Sequence, residues 1–141
     1  MPHARPALDC LDFSVESEGR KYVYSGDASL CDALTALCAG ADLLLHWCYR
    51  LDGEGAYPAM QALMPTPSEI GRMAKSVGGC GLLLTHIRVR ADALEARAST
   101  LAALAKSFVP LSGIAEDLAA IDICVLFARH AWIAVCQIQT V

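Results

Sequence analysis

Charge is what this sequence has least of. Only 18% of its 141 residues are charged, 55% are hydrophobic, and the net charge is −4. Soluble domains usually carry about a quarter charged residues, so this chain has apolar surface to spare, and some of it is expected to meet a partner. With no basic excess, electrostatics alone gives no reason to expect tight nucleic-acid binding, although a small phosphate-bearing substrate is not excluded. The opening "MPHARPALDC" lacks the apolar core of a signal peptide, which makes a cytoplasmic location the expectation. The longest apolar stretch near the end, "ICVLFARHAWIAVC", is interrupted by Arg129 and His130 and is too short to span a bilayer. The seven cysteines include no C-x-x-C pair; Cys31 and Cys38 share one predicted helical face and read as small buried hydrophobes rather than as a disulfide or a zinc knuckle. There is no glycine-rich phosphate loop, since "VGGCG" closes a helix instead of opening one.

What is present is an alternation of strand-like and helix-like segments, in a chain long enough for one domain with a sizeable core. "ALDCLDFSVES" (7–17) alternates apolar and polar residues with a slip near Leu11, "EGRK" turns the chain, and "YVYSG" returns as the second strand of a hairpin. The spacing of Leu30, Ala33, Leu34, Leu37 and Cys38 predicts a helix from Ala28 to Ala39, closed by Gly40. "ADLLLHW" reads as a buried strand ending on His46, and 49–66 as a long loop punctuated by Gly53, Gly55, Pro58 and Pro65. "TPSEIGRMAKSVGG" opens a helix with Thr66 as N-cap, Pro67 at N1 and Glu69 at N3, a capping box. "CGLLLTH" is a further buried strand ending on His86. The stretch "ADALEARASTLAALAKSF" predicts a helix with Leu94, Leu101, Leu104 and Ala105 on one face, and "IAEDLAAIDI" a final strand. Residues 124–141 are an apolar tail with no caps, and neither strand nor helix can be assigned to it. The order β-β-α-β-α-β-α-β implies an α/β domain with a mixed sheet and flanking helices.

Three of these strands end in residues that bind metals. Parallel strands joined by helices finish on one edge of the sheet, and such folds place their chemistry beyond those carboxyl ends. Asp27, His46 and His86 each follow an apolar run, and a carboxylate with two imidazoles suits a divalent ion such as zinc. Each has a plainer reading as well: Asp27 as the cap of a helix starting at Ala28, His46 and His86 as core or rim histidines. "HIRVR" puts Arg88 and Arg90 on one side of an extended segment, as a phosphate clamp or as a solvated pair.

The stretches "PHARPALDCLDFSVES", "VYSGDAS", "ADLLLHWCYR" and "TPSEIGRMAKSVGGCGLLLTHIRVR", in that order, resemble the C-terminal half of the metallo-β-lactamase fold superfamily, in its ribonuclease Z and sulfohydrolase-like branch. The resemblance implies half of a four-layered αββα sandwich over residues 1–123, with 124–141 unassigned. It implies zinc as cofactor, up to two ions in the intact family, with His3, Asp27 and His86 as ligands and His46 assisting the leaving group. It implies hydrolysis of an ester, sulfate ester or phosphodiester by metal-bound hydroxide, with nucleic acid as substrate only through the family. A carboxylate can reach two zinc ions at once, and close zinc ions lower the pKa of the water between them; neutral imidazoles fill the remaining bonds.

The family's H-x-H-x-D-H signature is absent, since the four histidines stand at 3, 46, 86 and 130. Trp47 stands where the family commonly has Glu, and Met64 where a His usually precedes the T-P-x-E helix start. Impaired activity is therefore expected, from a truncated or split member that needs a complementing chain or a second copy. The alternative is an inactive remnant that binds a partner through its sheet. Half a sandwich would leave an apolar sheet face uncovered, in keeping with the composition.

Overall fold

The computed structural model describes residues 9–78, 81–88, 93–107 and 111–120. The elements run β1 (Phe13–Ser17), β2 (Arg20–Tyr24), α1 (Asp32–Cys38), β3 (Leu43–Trp47), α2 (Pro58–Leu63), α3 (Pro67–Ser76), β4 (Gly81–Thr85), α4 (Leu94–Ser107) and β5 (Ser112–Ile114). They form one five-stranded sheet in the order β1-β2-β3-β4-β5, the expected mixed α/β arrangement. β1 and β2 are an antiparallel hairpin; β2, β3, β4 and β5 pair in parallel. Glu18 and Gly19 both have positive φ, at 52° and 74°, the geometry that lets a two-residue loop follow strand twist.

Each parallel crossover steps to the neighbouring strand in the same direction. Because such crossovers are right-handed, all their helices fall on one face of the sheet. The core shows it: Val23, Leu44, Leu82, Leu84 and Ile114 of the strands pack with Leu34 and Cys38 of α1, Ile70, Met73 and Ala74 of α3, and Leu104 of α4. The opposite face carries Phe13, Val15, Tyr24, Leu43, Leu45, Leu83 and Trp47 by strand register. There Leu43, Leu83 and Trp47 are buried, while Phe13 and Val15 are 53% and 59% exposed and Tyr24 is exposed too. One helix-covered sheet with an apolar second face is one side of a sandwich.

The capping box at α3 forms as its sequence requires. Thr66 Oγ1 accepts from the Glu69 N–H at 3.4 Å, and the Glu69 carboxylate accepts from the Thr66 N–H at 2.7 Å.

Three expectations are corrected. α1 starts at Asp32, capped at Cys31, and not at Ala28. Residues 25–28 make a turn instead, in which the Ala28 N–H donates to Ser25 O at 2.9 Å. The Ala28 carbonyl is taken by the Trp47 indole N–H at 2.6 Å, so it is not available to start a helix. Within the stretch read as loop, Pro58 at the first turn opens the short α2. The last described strand is Ser112–Ile114, not 114–123; Leu118, at φ 62°, follows in a turn. α4 buries Thr100 and Leu104, whereas Leu94 and Leu101 are exposed. The apolar tail 124–141 lies outside the described residues, and among those described no helix is long and apolar enough to cross a membrane.

Thr66→Ala is expected to lower unfolding stability by about 1 kcal/mol. The measurement is a urea midpoint that falls at unchanged slope.

Candidate functional site

Strand register sets the site. Tyr24 lies beside Leu45, and Leu45 beside Leu83, so the loops that follow β2, β3 and β4 leave from the same edge. Ser25 extends β2 by one bond, its N–H donating to Leu45 O at 3.0 Å. Gly26 then turns the chain at φ 50°, where a side chain is strained, and a Cβ there would press against Leu11 O at 3.0 Å. This turn presents Asp27 over the end of β3. From the other side His86 follows the last residue of β4 at φ 51°, a backbone region uncommon for any side chain but glycine.

Asp27 and His86 meet. His86 Nδ1 lies 2.7 Å from Asp27 Oδ1, although 59 residues separate them in the chain. Their side chains are 35% and 54% exposed, so the pair stands at the solvent-facing rim. Trp47, the last residue of β3, lies between the two loops. Its ring centroid is 6.1 Å from that of His86, and its indole N–H holds the loop of Asp27 through Ala28 O. Asp27 is therefore a rim carboxylate and not the cap of α1.

His46 does not share this rim. It precedes Trp47 on β3 and points to the helix-covered face with Leu44 and Cys48, fully buried at 0% exposure. Burial pushes its pKa down to about 4, opposed by the hydrogen bond to Trp47 O, so the ring is neutral near pH 7. Nδ1 lies 2.6 Å from Trp47 O and donates to it; Nε2 is buried with no partner among the described residues. His3 lies outside the described residues.

The sequence reading missed the surroundings of the pair. Tyr49 stands edge-on to His86, with ring centroids 6.4 Å apart, and the Arg88 guanidinium stacks 5.5 Å above the Tyr49 ring. Arg88 also pairs with Glu54, while Arg50 reaches Glu69 at 3.3 Å and Met64 O at 2.8 Å. Arg88 is thus neither a bare clamp nor a solvated charge; Arg90 lies outside the described residues. Cys10 lies beside Asp27. Burial raises its thiol pKa, with the Asp27 and Asp12 charges adding to the rise and a hydrogen bond to the Asp27 backbone opposing it.

As donors, a carboxylate oxygen and an imidazole nitrogen this close suit zinc. A catalytic zinc takes three protein ligands, and among the described residues no third His, Cys, Asp or Glu completes a cluster. The pair fits part of a coordination shell and does not close one.

No family model matches the chain. In fold it is similar to the metallo-beta-lactamase fold protein YhfI from Bacillus subtilis, with a TM-score of 0.63 over 78% of this chain and 43% of that one, at 24% identity. In sequence it is 34% identical over 125 residues to a ribonuclease Z of Brevibacillus brevis, covering 82% of this chain and 37% of the relative. A ribonuclease Z of Methanothermobacter thermautotrophicus is 29% identical over 106 residues, covering 75% and 33%. One from Mycobacterium tuberculosis is 44% identical over 87 residues, covering 58% and 32%. The chain therefore spans about a third of the length of the curated relatives it matches. The fold is that of the metallo-β-lactamase superfamily, here in part. Within that fold, the chain is related in sequence to proteins named ribonuclease Z.

Burial of neutral His46 makes stability depend on pH. Its folded pKa of about 4 lies below the ordinary 6.5, so stability is full above pH 6.5 and is lost as pH falls toward 4. The loss is about 3 kcal/mol. His46→Leu is expected to flatten this part of the stability curve relative to the unchanged chain, as read from urea unfolding at pH 4.5, 5.5 and 7. An identical pH slope in both proteins would remove His46 as its source.

Proposed function

We propose that this chain contributes two zinc ligands, Asp27 and His86, to the hydrolytic centre of a ribonuclease Z-like protein acting on phosphodiesters. The observation that supports it is the 2.7 Å contact between their side chains at the carboxyl edge of parallel strands. Zinc, when bound, supplies the Lewis acidity that hydrolysis of an unactivated ester requires. The carboxylate and the imidazole hold the ion at the rim, and Trp47 fixes the loop that carries the carboxylate. The remaining donors come from His3 and from a polypeptide segment bearing the H-x-H-x-D-H signature, whether in a complementing chain or a longer form of this one. The relatives are named ribonucleases, which favours a phosphodiester of RNA over sulfate or other small esters. A cytoplasmic location goes with that substrate. His46 takes no part in leaving-group departure in this reading; a ring with no exposed surface positions Trp47 through its carbonyl instead.

A second reading, a catalytically inactive partner-binding module, is favoured by one observation. Phe13, Val15 and Tyr24 form an exposed apolar strip on the sheet face that no described helix covers. The partner would be a second copy or the complementing half.

Zinc affinity, measured by competition with a chromophoric chelator, is expected to fall at least tenfold in Asp27→Ala and in His86→Ala, with the thermal melt retained. Equal zinc binding by the unchanged chain and both variants would refute the ligand assignment. Zinc binding that tracks Asp27 and His86, with no hydrolysis of bis(p-nitrophenyl) phosphate even after the complementing segment is added, would favour the second reading.

A further inference from the structure

Beside the Asp27–His86 pair the loop after β3 and the short helix α2 enclose a cleft of about 590 Å³, a volume suited to a small organic ligand. Tyr49 forms part of its wall and also touches the His86 ring edge-on, so the cleft opens next to the pair. Its other walls are mostly apolar: Ala56, Pro58, Met60 and Met64. Tyr57 lies on the rim, 83% exposed, with no ring neighbour among the described residues.

Its polar side has an unusual balance. Arg50 and Arg88 both line the cleft, yet each is paired with a carboxylate, Glu69 and Glu54. The cleft therefore has little net positive charge with which to hold a phosphate. What it does offer is an apolar wall beside an exposed aromatic ring. A planar ring with polar edges answers both features. It can stack on an exposed tyrosine and lie against thioether and proline surfaces.

The geometry points to this cleft as a nucleobase subsite that holds the nucleotide adjoining the phosphodiester at the Asp27–His86 pair. The assignment rests on the phosphodiester reading above for the identity of the ligand. Tyr57 supplies the stacking face, and Met60 and Met64 the adaptable floor. Stacking is sequence-tolerant, because every base has a π-face, so any of the four bases is accepted.

The test uses the full chain without added metal, titrated with adenosine 5′-monophosphate and, separately, with ribose 5-phosphate, and followed by amide chemical shifts. Adenosine 5′-monophosphate is expected to bind at least tenfold more tightly. Its affinity should fall roughly fivefold or more in Tyr57→Ala and be kept in Tyr57→Phe. Tyr57 is exposed, so the variant should melt as the unchanged chain does. Equal binding of the two probes, or an unchanged affinity in Tyr57→Ala, would overturn the subsite. Zinc titration of the same samples separates the two claims. Base-dependent binding without zinc binding at Asp27 and His86 upholds the subsite and removes the hydrolytic reading; zinc binding there without base-dependent binding removes the subsite alone.

Discussion

The parallel pairing of β2, β3 and β4 brings Tyr24, Leu45 and Leu83 side by side, and the positions of the other elements follow from that register. It sends three loops out at one edge and so brings a carboxylate and an imidazole from distant parts of the chain into contact. It also fixes parity. A residue on β3 faces either the helices or the other side, and moving by one position reverses its surroundings. His46 and Trp47 are neighbours in sequence, yet one is sealed under the helices and the other lies beneath the rim pair.

Much of the fold was legible where a local rule had no rival. Thr66 with Pro67 and Glu69 could only open a helix, and the capping box formed. "LLLHW" and "GLLLT" are too short and too apolar for anything but central strands, and they pair over their whole length. The start of α1 was misread because Ala28 and Ser29 suit a helix locally. A contact distant in sequence, the Trp47 N–H on Ala28 O, decided otherwise. Of the site, Asp27 and His86 were visible as ionisable ends of buried runs. The setting of His46 was not, because an unbroken run of leucines carries no alternation from which to read a face. Nor was the stack of Arg88 on Tyr49, which depends on how the loop after β3 folds back.

Successive right-handed crossovers in one direction cover one face of the sheet with helices and leave the other to be covered from elsewhere. That rule, and not any defect of packing, accounts for the exposed Phe13 and Val15 beside a well-filled core on the opposite face. The shortage of charge noted at the outset fits such a surface.

From the sequence resemblance a glutamate is expected where Trp47 stands. A carboxylate has no proton to give at neutral pH, so it cannot grip the oxygen of Ala28 as the indole does. The aromatic side chain therefore works as a clasp between the middle strand and the acid-bearing turn. The tryptophan at this position thus carries a mechanical duty of its own, and a glutamate in its place would loosen the turn.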